Sequence, residues 1–320
     1  MLGYLKHLAW VSTSWALESS NGNPDEILVG GQAVIEGVMM RSPKGYAIAV
    51  RRQDGSFQTT KETLPGVGQK WRLFKLPVFR GVGTLAQALV LGIRALRFSV
   101  NAALEDSAPA DSTAAKAPEK VSSWLIAGNL VFALGVNLTL FVALPLFATK
   151  FAQTQLGFES NVLFNSLDGV FRIAAFVTFL GLVSRMKDMR RVFQYHGAEH
   201  KTVYTFEARQ ELNTENARRF STLHPRCGTS FLLVVMIVSI AVFSVIHFDT
   251  IYGKLLSRIA LLPLVAGLSY EVIRYSAKHP RGLLRLVTFP GLMLQKITTN
   301  EPDEPQLETA IKALDEALTV

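Results

Sequence analysis

The sequence predicts a mainly α-helical, polytopic membrane protein with about four transmembrane helices, a small N-terminal β-element and interfacial helices. Three observations carry that prediction. Of the 320 residues, 49% are hydrophobic and the mean hydropathy is +0.26, too apolar for an ordinary water-soluble chain of this size. The apolar residues gather into runs long enough to cross about 30 Å of hydrocarbon at about 1.5 Å per residue. The formal charge of +8 crowds beside those runs, where it orients a chain in the bilayer and meets anionic lipid. No base-stacking or groove-reading motif accompanies the basic residues, so nucleic acid is not an expected partner.

The elements follow in order. Residues 1–27 form a variable lead-in that lacks the uninterrupted apolar core of a cleaved signal. Residues 28–104 make a cytoplasmic or interfacial region. Within it, 29–40 suits a strand with glycine-marked ends, and Asp54-Gly55 between 46–51 and 56–60 signals a hairpin. The helical pattern over 83–104 is interrupted by Arg94 and Arg97, which suits an amphipathic interfacial helix or a short re-entrant segment. Residues 105–121, rich in Ala, Ser and Pro, form a flexible linker. A transmembrane bundle occupies 122–300, with spans at 124–149, 161–184, 228–246 and 255–275 and an interfacial helix at 283–294. Asp168 and Arg172 share a face of the second span and can neutralise each other. Residues 301–320 form an acidic amphipathic helix, with Pro305 in its first turn and Leu307, Ile311 and Leu314 on one face.

Orientation is set by the loop 185–227, which carries Arg185, Lys187, Arg190, Arg191, Lys201, Arg209, Arg218, Arg219 and Arg226. The other connections between spans are short and nearly free of positive charge. The positive-inside rule therefore expects this loop in the cytoplasm, with both termini beside it. Lys254 and Arg258, at the outer end of the fourth span, count mildly against this orientation, though long side chains can snorkel.

That loop also holds the residues most able to carry chemistry. His196, Glu199 and His200 have the order H-x-x-E-H, which on a helix sets two imidazoles on one face with a carboxylate beside them. Such an arrangement can hold a divalent metal, Zn²⁺ first among them, with Glu199 as general base. Gly197 inside the motif weakens a helix by about 1 kcal/mol relative to alanine. His224 and Cys227, just before the third span, could supply a third ligand; if both bound, the site would be closed and structural. Cys227 is the only cysteine, so no intrachain disulfide forms. The competing reading has the histidines snorkelling or meeting lipid phosphate, with Cys227 as a small buried hydrophobe. Lys201 and Arg226 could hold an anionic lipid or a phosphorylated substrate. Glu36, in an apolar stretch, needs a partner, and Arg41 is one option. Glu271 is either a further ligand or proton acceptor at the membrane edge, or half of a surface pair with Arg274.

GGQAVIEGVMMR at 30–41, YHGAEHK at 195–201, LHPRCGTSF at 223–231 and TTNEPDEPQLETAIKAL at 298–314 together resemble the YqhQ-like family of bacterial membrane proteins. The resemblance runs from about residue 28 to the C-terminus. It implies a multi-pass protein of the bacterial inner membrane with these motifs grouped at one site. Members of that family, a domain of unknown function, are sometimes described as metal-dependent enzymes. Two readings follow: a metal-dependent hydrolase at the cytoplasmic membrane interface, or a non-catalytic scaffold or transport-associated protein that binds a partner or anionic lipid. A transporter is a third, without an internal repeat to support it. The protein partners are unknown from the sequence.

Overall fold

The computed structural model describes residues 29–64, 72–107, 123–224, 227–246, 248, 250–278 and 284–320. The lead-in, most of the linker, Arg226, His247 and His279 lie outside the described residues.

The N-terminal β-element is a four-stranded antiparallel meander in the order β1 (Gly30–Val34), β2 (Gly37–Arg41), β3 (Gly45–Arg51) and β4 (Phe57–Thr63). The connection between β3 and β4 falls at Asp54-Gly55, as the turn residues require: Gly55 has φ 84 and Asp54 Oδ1 accepts from Ser56 N–H. The single strand expected over 29–40 is instead a hairpin. Val34 pairs with Gly37, leaving Ile35 and Glu36 as the turn, and Glu36 takes φ 52. A left-handed conformation at a non-glycine residue costs on the order of 1 kcal/mol, so something must hold Glu36 there. The sequence hid this turn because β2 and most of β3 are buried on both faces, which erases the apolar–polar alternation.

Each face of the sheet builds a core. On one face, Val38, Met40, Ala47 and Ala49 pack against the late helices of the chain. On the other, Met39, Ile48 and Val50 pack on Leu91, Ala95 and Ala102 of helix α1 (Phe79–Ser107). By length and composition α1 could cross a membrane, but its C-terminal half lies on the sheet. Arg52 ties it there through Glu105 (3.0 Å) and Asp106 (2.5 Å).

The bundle begins with α2 (Ser123–Leu138), which runs through a π-helical stretch, Thr139–Ala143, into α3 (Leu144–Leu156). The antiparallel α4 (Asn161–Val183) follows, capped by Ser160. Both hydrophobic runs, Val131–Leu156 and Asn161–Val183, are long and apolar enough to span a bilayer. The third expected span is α7 (Gly228–Val245), shorter but without a charged residue. The fourth is broken: α8 (Ile251–Ala260) and α9 (Leu262–Lys278) meet at 53°. Its Arg258 does not snorkel. It is 2% exposed and turns inward, with Nη1 2.8 Å from Asp168 and Nη2 3.2 Å from Asn165. Asp168 thus serves two guanidiniums, since Arg172 donates to its other oxygen at 3.0 Å.

The segment 185–227 is not the loop that its charge suggested. It folds as α5 (Lys187–Glu207) and α6 (Thr214–Arg218), and α5 forms a wall of the core. Buried Glu199, His200, Lys201 and Thr202 interleave with buried Tyr195, Ala198 and Val203, so the apolar period is masked. The helix expected at 283–294 extends as α10 (Leu284–Thr298). The acidic C-terminal helix, α11 (Glu304–Leu318), is opened by a capping box between Asp303 and Gln306. Its Leu307, Ile311 and Leu314 are buried against the sheet and α5.

Candidate functional site

Helix α5 sets His196 and His200 one turn apart, with ring centroids 4.4 Å from each other. The N-cap residue of α7, Cys227, meets them from the start of that helix. One ligand atom from each of His196, His200 and Cys227 lies within 4.8 Å of the other two. His196 Nε2 is 3.2 Å from Cys227 Sγ. A tetrahedral zinc site with arms of about 2.0–2.3 Å has edges of about 3.3–3.8 Å, so the His196–Cys227 edge is already near that length and the group as a whole is close enough to draw in around one ion.

The orientation of both rings is fixed from behind. His196 Nδ1 lies 2.8 Å from the carbonyl of Thr298, and His200 Nδ1 lies 2.5 Å from the carbonyl of Thr222. A carbonyl can only accept, so each Nδ1 carries the proton and each Nε2 keeps its lone pair. This is the outer-shell arrangement that orients metal-binding histidines. Gly197 makes it possible. A Cβ at that position would lie 2.1 Å from the Asn300 carbonyl oxygen, so only glycine admits the chain that presents Thr298 to His196. That chain is pinned by Asn300 N–H donating to the Phe193 carbonyl at 2.9 Å.

Glu199 is 6% exposed and stands next to this group without belonging to it. Gly31 N–H of strand β1 donates to the carboxylate, while its Oε2 is buried without a partner. Burial pushes its pKa up to about 7, against the pull of His196. Burial likewise lowers His200 and raises the Cys227 thiol, but its hydrogen-bonded contacts with His200 and Thr229 outweigh burial and bring Cys227 below its usual value. Converging nitrogens, an acidified thiol and an orphaned buried carboxylate fit a divalent, thiophilic ion.

The other predicted residues scatter. His224 is buried, its Nε2 faces Glu207 at 3.5 Å, and it stands outside the group formed by His196, His200 and Cys227. Its backbone is clamped by Gln295, which accepts from His224 N–H at 2.7 Å and donates to the carbonyl at 2.8 Å. Lys201 is 3% exposed and spent on Glu301 (2.6 Å) and the Arg218 carbonyl (3.0 Å), so it offers nothing to a substrate. Glu36 is not partnered by Arg41, which reaches Gln87 at 3.0 Å. Arg191 grips Glu36 with two nitrogens and Tyr195 adds its hydroxyl at 3.2 Å, which is what holds the left-handed turn. Glu271 does not pair with Arg274 but takes Arg80 bidentately and accepts from Val78 N–H at 3.3 Å, anchoring the start of α1. Sequence reasoning missed Gly31, Gln295 and the carbonyls of Thr222 and Thr298. Backbone acceptors leave no trace in residue type; only the glycine in the H-x-x-E-H motif signalled a close approach.

These features define a bundle of apolar helices, three or four of them long and apolar enough to cross a membrane, with a sheet-and-helix unit and a His–His–Cys group where the two meet. The chain belongs to the DUF1385 family, described as a protein of unknown function, whose profile matches residues 76–320. It is also similar to the uncharacterized protein YqhQ of Bacillus subtilis (strain 168), 33% identical over 296 residues that cover 90% of this chain and 92% of the relative. No solved structure matches.

Proposed function

We propose that this protein is a metal-dependent hydrolase whose site lies at the cytoplasmic face of the bacterial inner membrane. His196, His200 and Cys227 would hold one divalent ion, zinc by the softness of the donor set. The observation that carries the reading is the pair of Nδ1–H···O=C bonds that turn both Nε2 lone pairs toward Cys227. A zinc ion held by His196, His200 and Cys227 would supply Lewis acidity and acidify water beside it. Glu199, with a pKa of about 7, is suited to take the proton of the attacking water and return it to the leaving group. Gly31 N–H orients that carboxylate through one oxygen and leaves the other free to act.

Glu199→Gln tests the catalytic half of the reading. The variant should keep its metal and lose about 100-fold or more in turnover on whichever ester or phosphoester wild type cleaves. Undiminished turnover in Glu199→Gln would remove Glu199 as the base. A closed structural site is the second reading, favoured by the 2% exposure of His200. It predicts that metal removal unfolds the cap and that no hydrolysis accompanies metal binding. For orientation, a cysteine replacing Glu211 should resist a membrane-impermeant thiol reagent in intact cells; labelling above the wild-type background would reverse the assigned side.

A further inference from the structure

Where α4 ends and α5 begins, a cavity of about 560 Å³ opens, lined by Gly181, Ser184, Arg185, Arg190, Lys296 and Asn300, among others. Its three cations come from three places in the chain: the turn after α4, the first turns of α5, and α10. No carboxylate lines it. Arg185 and Arg190 are exposed, and among the described residues neither guanidinium is engaged in an ion pair. Convergent, unspent guanidiniums are the usual recognition device for phosphate.

The surroundings say what kind of phosphate. Phe179, Leu182 and Met186, around the last turn of the membrane-type helix α4, are large, apolar and exposed. A cationic cavity with such a rim sits where a bilayer passes from acyl chain to headgroup. Gly181 contributes room, because a Cβ there would meet nothing within 4 Å.

The cavity also adjoins the histidine site. Arg190 lies on α5 six residues before His196, about 9 Å of helix rise. Lys296 and Asn300 flank Thr298, the residue whose carbonyl orients the His196 ring. The wall that holds the cavity's cation is therefore the strand of chain that positions His196.

We propose that this cavity binds the phosphate headgroup of an anionic membrane lipid, and that such a lipid is the substrate class of the His196–His200–Cys227 site. The second half rests on the hydrolase reading; the binding half does not.

Native mass spectrometry of the full chain released from phosphatidylcholine nanodiscs doped with phosphatidylglycerol tests the binding. Wild type should retain phosphatidylglycerol over phosphatidylcholine, and soluble glycerol 1-phosphate should not displace it. Removing a cation from an anionic lipid surface weakens binding about 5-fold, so Arg185→Gln/Arg190→Gln should lose about 25-fold. Gly181→Leu fills the open space without changing charge and should lose lipid as well, which keeps the test sound if the double variant folds poorly. Unchanged lipid retention in both variants overturns the proposal, and displacement by glycerol 1-phosphate overturns the lipid assignment in favour of a soluble phosphate ester. Both variants should keep wild-type metal content, and His196→Ala should keep wild-type lipid retention. Failure of the metal reading and failure of the lipid site therefore register in different measurements.

Discussion

Gly197 sits mid-helix in α5, and its replacement by alanine sets two effects of opposite sign against each other. Helix propensity alone favours alanine by about 1 kcal/mol. The packing opposes it: the new Cβ would lie 2.1 Å from the Asn300 carbonyl oxygen and 3.2 Å from Thr222 Cγ2. The nearer contact is backbone and cannot swing aside, so the 299–300 chain must retreat by about 1 Å, a strain that typically costs 1–3 kcal/mol. Retreat also lengthens Asn300 N–H···O=C Phe193 and His196 Nδ1–H···O=C Thr298, each worth about 1 kcal/mol. The net expectation is a loss of about 2–4 kcal/mol. Urea titration of detergent-solubilised protein measures it, and chelator competition measures the accompanying loss of metal affinity, about 10- to 100-fold for a lost outer-shell partner. A Gly197→Ala variant stabilised by about 1 kcal/mol with unchanged metal affinity would refute the role given to this glycine.

Asp168→Asn leaves buried Arg258 and its half-buried neighbour Arg172 without a counter-charge, and should destabilise the bundle by about 3–5 kcal/mol in thermal melts. Arg172→Met, which leaves the Asp168–Arg258 pair one to one, should cost far less; equal losses would show that charge balance is not what the triad supplies. His224 gives a pH signature. Burial lowers its pKa to about 4, with Glu207 3.5 Å from its Nε2. The unfolded chain takes up the proton near pH 6.5 and the folded one only near 4. The folded state therefore keeps its full advantage above about pH 6.5 and loses about 1.4 kcal/mol per unit as pH falls through the window, about 3 kcal/mol in all. Denaturation midpoints of metal-stripped protein followed from pH 7 to pH 4 should decline with that slope, and His224→Gln should flatten the decline; parallel curves for the two would contradict the assignment.

The apolar helices were legible because they are written in long, uninterrupted apolar runs, and α3, α4 and α7 fall where those runs lie. The pairing Asp168–Arg172 was legible too, because i,i+4 geometry is local. Arg258 was not: whether a terminal cation snorkels or turns inward depends on a partner 90 residues away. The same limit explains Glu36, whose true partner Arg191 lies 155 residues on, while Arg41 was merely near in sequence. In α5 the reason differs. A helix that buries Glu199, His200, Lys201 and Thr202 on the same wall as Tyr195 and Val203 has no polar face to read, so it passed for a charged loop. At the site, the order H-x-x-E-H announced the histidines and the glutamate. His224 lies beside His200, ring centroids 5.6 Å apart, with its backbone held by Gln295, a residue that belongs to no motif.

The central claim is that His196, His200 and Cys227 converge on one ion. The most direct measurement is elemental analysis of protein purified in detergent, wild type beside the double variant His196→Ala/His200→Ala, with matched folding checked by circular dichroism. The account predicts about one zinc per chain in wild type and only a trace in the variant. Equal metal in the two proteins would contradict it.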